Sequence, residues 1–425
     1  MGSVKDLIKD DPVTGKLYVP ASARDFGRAV WKVSGRFSVG DLKNLIPDTN
    51  IKDKAEALTM MTARFFEYLR EERPFTETCY IGVLNHDGKI VSTEELMDNG
   101  ERSNLIVMKL AHVPETYSGG DLNYYRKAMA SGELLCGVAD VESIFRKGLP
   151  LGSSFFKDVF NAFGKRMGGY YEKLSTYSET VDQLDFIRDL VKANGIDEYP
   201  NLEKVLSRFG LTEIPNPGLV LTDIIYDTTT KFEAAGDRKI DAEEARLYSG
   251  LSEKGYTEWA TSVFPQLARD QIKFCKDRGI LNIDGKAECV AYKGGPIVTD
   301  FACTVDENRL MIVVDHENEK LAIPSNKEIQ RAIFRREGIY VAINDAKEAA
   351  KSDGDINKWK DYVPEILESR NIDIKAVSEH SCNLMADAIG EVANRLLGRK
   401  VFDAKPIESW VGEFLPYASK IEYQH

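Results

Sequence analysis

Asp284-Gly-Lys286-Ala-Glu288-Cys-Val-Ala-Tyr292, followed by Lys293-Gly294-Gly295 and Pro296-Ile-Val-Thr-Asp300, alternates apolar residues on both sides of a Gly-Gly element. That pattern predicts a β-hairpin with a three-residue loop. With the turn centred on Gly294, Glu288 and Asp300 become direct cross-strand partners, with Cβ atoms roughly 5 Å apart. Two like charges so placed repel each other. A bound cation turns the repulsion into a chelate, and an all-oxygen ligand pair selects Mg²⁺. Successive side chains alternate across a strand, so Asp284, Lys286 and Glu288 share one face. An ammonium beside two carboxylates and a metal suits a polyphosphate. A solvated hairpin face carrying ordinary surface charges fits the same residues.

The chain has 425 residues, enough for two or three domains. Hydrophobic residues make up 43% and charged residues 29%, the balance of a soluble globular protein. A formal net charge of −12 argues against a general nucleic-acid binder. No apolar run approaches the roughly 18 residues that span a bilayer, and the N-terminus lacks the apolar core of a signal peptide. No membrane role and a cytoplasmic location are therefore expected. The six cysteines, at 79, 136, 275, 289, 303 and 382, include no Cys-x-x-Cys pair, and the five histidines form no ligand cluster. Reduced, buried thiols and no zinc are expected.

Helices and strands alternate along the chain. Short strands are expected over 16–41 around Ala29-Val30-Trp31, and a helix over 52–72 with Ala57, Leu58, Met61, Phe65 and Leu69 on one stripe. Strands follow over 79–91 and 104–112, then a basic, turn-rich passage at 146–154. Residues 165–213 read as a charged helical insertion. Asp241 opens a helix with Glu244 at its capping-box position. One long amphipathic helix is expected over 257–278, stopped by Gly279. After Pro324 everything reads as helix, with Trp359, Leu367, Ile389, Val392 and Leu396 as core. The expected division is an N-terminal α+β nucleotide lobe (1–115), a central α+β lobe holding the 165–213 insertion and the 284–301 hairpin (116–320), and a C-terminal helical region (321–425).

Six short segments, in order, resemble motifs of one family. They are Gly35-Arg36-Phe37-Ser38-Val-Gly-Asp41, Lys54-Ala-Glu-Ala-Leu58-Thr59, and Val141-Glu142-Ser-Ile-Phe-Arg146 followed by Gly152-Ser153-Ser154. Then come Thr229-Thr230-Lys231-Phe-Glu233 with Asp237, Arg278-Gly-Ile280 running to Asp284-Gly-Lys286-Ala-Glu288, and Asn326-Lys327-Glu328-Ile-Gln-Arg331. The chain thereby resembles the SAICAR synthetases, purine-pathway ligases that join aspartate to a carboxyaminoimidazole ribonucleotide. The resemblance implies an α+β fold of two mixed lobes around a nucleotide cleft, with a C-terminal helical region. It implies ATP and Mg²⁺ as cofactors, an acyl-phosphate route to the amide, and small-molecule partners: a phosphorylated imidazole-nucleotide carboxylate and aspartate. The oligomeric state stays open, a homo-oligomer included.

By the same resemblance Glu288 and Asp300 hold the metal, and Lys286 contacts the transferring phosphate. Lys231 and Asp237 order the second substrate or the metal's surroundings. Arg24 and Lys54 join Lys286, Glu288 and Asp300 around the nucleotide. Arg36, Ser38, Arg146, Ser153, Ser154, Arg309, Lys327 and Arg331 face the substrate, with Arg146 forking onto its 5′-phosphate. The sequence also departs from the family. Ser22 stands where a nucleotide-binding lysine is expected, Gly285 and Ala287 replace Thr and Phe, and Glu307-Asn308 replace Ser-Ser before Arg309. A different amine or carboxylate substrate, or a nucleotide-binding homologue without catalysis, fits these departures too.

Overall fold

The structure is a computed structural model that describes residues 5–9, 11–12, 14–36, 50–164, 180–233, 236–326, 328–355, 358–415 and 419–424. It is an α+β fold. Among these residues the strands form two sheets. The first contains β1 (Lys5–Ile8), β2 (Gly27–Val33), β3 (Tyr80–Leu84), β4 (Ile90–Val91) and β5 (Leu105–Leu110), in the order β1-β2-β5-β3-β4 and antiparallel throughout.

The helix Lys54–Glu72 packs on this sheet with the expected stripe buried. Its other faces are buried as well, against the helices Phe264–Lys276 and Ile374–Leu397. Phe65 meets Phe274 edge-on at 5.4 Å, and Phe66 stacks on Tyr80 at 5.6 Å. A helix enclosed this way must satisfy its own polar groups. Glu67 does so by accepting from Tyr80 Oη at 2.8 Å and from the Thr93 N–H at 2.9 Å.

The second sheet contains β6 (Cys136–Val138), β7 (Val141–Leu149), β8 (Leu219–Thr230), β9 (Ile280–Tyr292), β10 (Gly295–Thr299), β11 (Asn308–His316), β12 (Glu319–Pro324), β13 (Ser419–Lys420) and β14 (Glu422–Tyr423). Its main path is β13-β12-β11-β9-β7-β8-β14, with β10 and β6 also on β9. The first part of β9 pairs with β7 and β11, as far as Ala287 opposite Ser143; from Glu288 onward it pairs with β10. Glu288 therefore sits where the central strand changes neighbours.

Three sequence expectations are corrected. The passage at Arg146 is strand, not turn: Val141, Ser143 and Phe145 bury one side of β7 while Glu142, Ile144 and Arg146 occupy the other. The 257–278 helix is interrupted, running Glu253–Glu258, a π-turn at Trp259–Val263, then Phe264–Lys276. Pro265 lacks an N–H at the start of the last piece, which explains the wider turn before it. After Pro324 the helices are joined by β13 and β14, which return to the sheet, and Trp359 is only half-buried. The described part of the 165–213 segment forms helices at Thr180–Asn194 and Pro200–Arg208 over an apolar cluster built on Phe155, Phe156 and Phe163.

The hairpin turn is also tighter than expected. Gly295 pairs with Tyr292, leaving two loop residues, Lys293 (φ 51°) and Gly294 (φ 82°), both left-handed. That is a type I′ turn. A Cβ on Gly294 would lie 3.1 Å from Ser252 Cβ. Gly294→Ala should therefore cost about 1–2 kcal/mol through the unfavourable φ. Denaturant unfolding measures this, and an unchanged midpoint would contradict the turn described.

Candidate active site

Pairing between strands far apart in sequence assembles one charged face. Arg146 lies opposite Asp284, and Ile144 opposite Lys286, so β7 and β9 present Glu142, Arg146, Asp284, Lys286 and Glu288 together. On β8, Asp227 is opposite Ile144 and Thr229 opposite Glu142; on β11, Arg309 is opposite Asp284. The other face is packed, where Trp259 Nε1 donates to Ser143 Oγ at 2.9 Å. Gly285 is required on that side, because a Cβ there would lie 2.8 Å from the Phe145 ring and 2.0 Å from Asn308 Nδ2. This crowding explains one of the departures noted in the sequence.

At one end of the face, Thr299 is the cross-strand partner of Glu288, not Asp300. The two-residue turn moves the register by one, and such a slip should send Asp300 to the opposite side. Asp300 instead leaves the strand with φ 64°. Its carboxylate lies 3.8 Å from Lys231 Nζ, which is also bonded to Glu288 Oε2. The structure thus brings the two acids together around a lysine.

Lys286 stands beside them, 2.6 Å from Glu142, 2.9 Å from Glu307 and 4.0 Å from Glu288 Oε1. Burial opposes both ammonium groups, yet the carboxylates outweigh it and hold both lysines above the ordinary lysine range. Asp237 is exposed, but partial burial and the nearby Glu142 raise its carboxyl. Glu288 Oε1 is buried and accepts no hydrogen bond, and Thr229 Oγ1 is likewise unpartnered. An orphaned carboxylate oxygen in a buried position fits a cation ligand. Among the described residues no three acidic, His or Cys side chains converge as a ready-made metal cage. A divalent ion here would draw its remaining ligands from water or from a bound phosphate.

The other end gathers arginines. Arg146 Nε donates to Asp227 Oδ2 at 3.0 Å, and its terminal nitrogen to Ser154 Oγ at 3.0 Å. Arg309 is paired with Asp284 and donates to the Gly152 carbonyl at 2.7 Å, while its Nε is buried without a hydrogen bond. Arg331 pairs at 2.5 Å with Glu328, whose carboxylate lies 3.8 Å from Arg309 Nε. Burial lowers the Arg146 guanidinium, and Arg309 adds to the effect against the pull of Asp284.

Other expected site residues lie elsewhere. Ser153 is buried, with its hydroxyl accepting from the Phe155 N–H at 3.3 Å, so Ser154 alone faces Arg146. Arg24 is exposed, with its N–H on Ser22 Oγ at 3.3 Å. Lys54 is buried, 2.9 Å from Asp306, and donates to the Arg36 carbonyl at 3.4 Å. Ser38 and Lys327 lie outside the described residues. Sequence reasoning did not assign roles to Glu142 and Asp227. The alternation along β7 and β8 was the available signal, and it was obscured by reading Arg146 as a turn residue. Glu307 faces Lys286, not Arg309, so its charge does not oppose an anion at the arginine end.

Burial, reinforced by the Asp300 charge, pushes the Glu288 carboxyl up to about 8 against the opposing pull of Lys231 and Lys286. Between its ordinary value of 4.5 and about 8, the folded chain keeps a proton that the unfolded chain has released. Stability contributed here therefore falls as pH rises through that window. In metal-free buffer the melting temperature should decline over this range by several degrees, and Glu288→Gln should make the decline shallower. Identical slopes in both proteins would assign the titration to other groups.

No family model matches this chain. It is 27% identical over 419 residues to a protein of Archaeoglobus fulgidus provisionally named phosphoribosylaminoimidazole-succinocarboxamide synthase, covering 97% of this chain and 98% of that one. Among solved structures, SAICAR synthase from Saccharomyces cerevisiae complexed with SAICAR shares 11% identity over 94% of this chain and 99% of its own, with a TM-score of 0.43. A type-2 SAICAR synthetase structure in complex with ADP shares 13% identity over 87% and 97%, with a TM-score of 0.42. The chain is therefore similar over nearly its whole length to a relative that provisionally bears the synthase name.

Proposed function

We propose that this chain is an ATP-dependent amide-forming ligase of the SAICAR synthetase type, joining aspartate to a carboxylated aminoimidazole ribonucleotide through an acyl phosphate. The observation that carries this reading is the buried oxygen of Glu288 that accepts no hydrogen bond, set between two lysines and beside Asp300. Glu288 and Asp300 would hold Mg²⁺, which when bound neutralises the nucleotide's polyphosphate. With an ion held there, Lys231 would be released from the carboxylates, and Lys286 is placed to meet the phosphoryl oxygens. The arginine end, with Arg146, Ser154 and Arg309, holds the substrate phosphate and fixes its carboxylate toward Lys286. Transfer of the γ-phosphoryl group of ATP to that carboxylate, with ADP departing, gives it a leaving group. The neutral amine of aspartate then attacks the acyl carbon, the bond from that carbon to the phosphate oxygen breaks, and the proton lost by nitrogen passes to solvent. Mg²⁺, the nucleotide and both substrates rest here on the donor set and the similarity together.

The test is ADP and phosphate release from purified protein with ATP and Mg²⁺. Release requiring both the carboxylated imidazole nucleotide and aspartate supports the proposal; release indifferent to aspartate contradicts it. Glu307 on Lys286, where the family has Ser, favours one variant of this reading: the same chemistry with a different amine or carboxylate. A substrate screen separates the two. Among the described residues no helix is long and apolar enough to cross a membrane.

A further inference from the structure

The helix Pro200–Arg208 belongs to the 165–213 segment and buries Leu202 and Leu206 in that segment's apolar cluster. Its last residue points elsewhere. Arg208 is paired with Asp227 Oδ1, while the other oxygen of Asp227 holds Arg146 Nε. Asp227 is 1% exposed in its side chain and thus serves two guanidinium groups at once. Asp284 is shared in the same way, bonded to Arg309 and 3.9 Å from Arg146. Glu328 is shared too, paired with Arg331 and 3.8 Å from Arg309 Nε. Four arginines thus share three carboxylates, and the buried Nε of Arg309 makes no hydrogen bond. Burial lowers the Arg208 guanidinium, and the Arg146 charge adds to this against the pull of Asp158. Arg146 is 5% exposed in its side chain and cannot move far, whereas Arg208 is 45% exposed at the mouth of the cluster.

We propose that Arg208 is a specificity-determining residue: it is carried by the 165–213 segment to the Arg146–Arg309 pair and completes a site for a phosphate monoester. On binding, Arg208 turns from Asp227 to the phosphate oxygens, and Asp227 remains to orient Arg146. That this phosphate is the substrate's 5′-phosphate rests on the ligase reading; the site itself does not. The shared chemistry also allows a nucleotide phosphate, so the test must separate the two.

Calorimetric titration of the full-length protein with ribose 5-phosphate, with ribose and with Mg²⁺-ATP provides the separation. The unmodified protein should bind ribose 5-phosphate and not ribose. Arg208→Ala should weaken ribose 5-phosphate binding roughly tenfold or more, the loss expected when a charged hydrogen bond is removed. Arg208→Lys should recover part of it, and the affinity for Mg²⁺-ATP should stay the same. Unchanged ribose 5-phosphate affinity in Arg208→Ala would overturn the proposal, as would an equal loss for Mg²⁺-ATP. Arg208→Gln keeps the apolar stem and serves if the alanine variant does not fold. Should the protein show no ligase turnover while the ribose 5-phosphate result holds, the ligase reading fails and the Arg208 site stands.

Discussion

Glu288→Gln should lower kcat/KM at least about 10³-fold while leaving the protein as stable as before, or more so, at neutral pH. The loss of activity follows from removing one of two carboxylates that would hold the divalent ion, a charge placed where transition-state charge develops. The stability result follows from burial. Glu288 is 3% exposed and one of its oxygens accepts no hydrogen bond, and an uncharged amide of the same shape relieves the cost of burying charge there. A residue with only a structural role would lose both properties together. Turnover within tenfold of the unmodified protein would remove Glu288 from the reaction and, with it, the metal-binding reading of this end of the face.

Lys286→Met should be damaging in a different way. It removes the ammonium shared by Glu142, Glu307 and Glu288 and leaves these acids crowded with Lys231 as the nearby cation. Breaking a largely buried ion-pair network by deleting one partner costs about 3 kcal/mol, toward the low end of the usual range because Lys286 is 31% exposed. The deficit should shrink in acid, because Glu288 and Glu307 have raised carboxyl pKa values through burial and take up protons first. Turnover should fall about 10²- to 10³-fold at the same time. Chemical unfolding at pH 5 and pH 8 measures the first effect. A variant equally stable at both, and equal to the parent, would show that Lys286 does not neutralise the cluster.

Much of this site was legible in the chain, and the rest was hidden for definable reasons. Alternation placed Asp284, Lys286 and Glu288 on one face, and the face is real. The pairing of Glu288 with Asp300 was misread because Lys-Gly-Gly accommodates either a two- or a three-residue loop, and only the left-handed φ of Lys293 decides between them. The consequence was offset by a second irregularity, the left-handed Asp300, which nothing in Thr-Asp-Phe announces. The Lys54–Glu72 helix was read nearly to the residue because its apolar spacing is local. Glu142, Asp227 and Arg208 reach the charged face only through strand register and helix docking across long separations, which local periodicity does not encode. The break at Trp259–Val263 carried a signal in Pro265 that the continuous apolar pattern masked.

In the free protein Glu288 and Asp300 already share the Lys231 ammonium. The pair is therefore not an empty receptor but one occupied by a tethered counter-ion. Loading it with a dissolved divalent ion is an exchange, in which the newcomer must outcompete a charge that never diffuses away. A lone aqueous ion gains little from such a trade, whereas an ion arriving on a polyphosphate brings anionic oxygens that can receive the displaced lysine. If Glu288 and Asp300 hold an ion as proposed, the arrangement would favour ion and nucleotide entering as one unit.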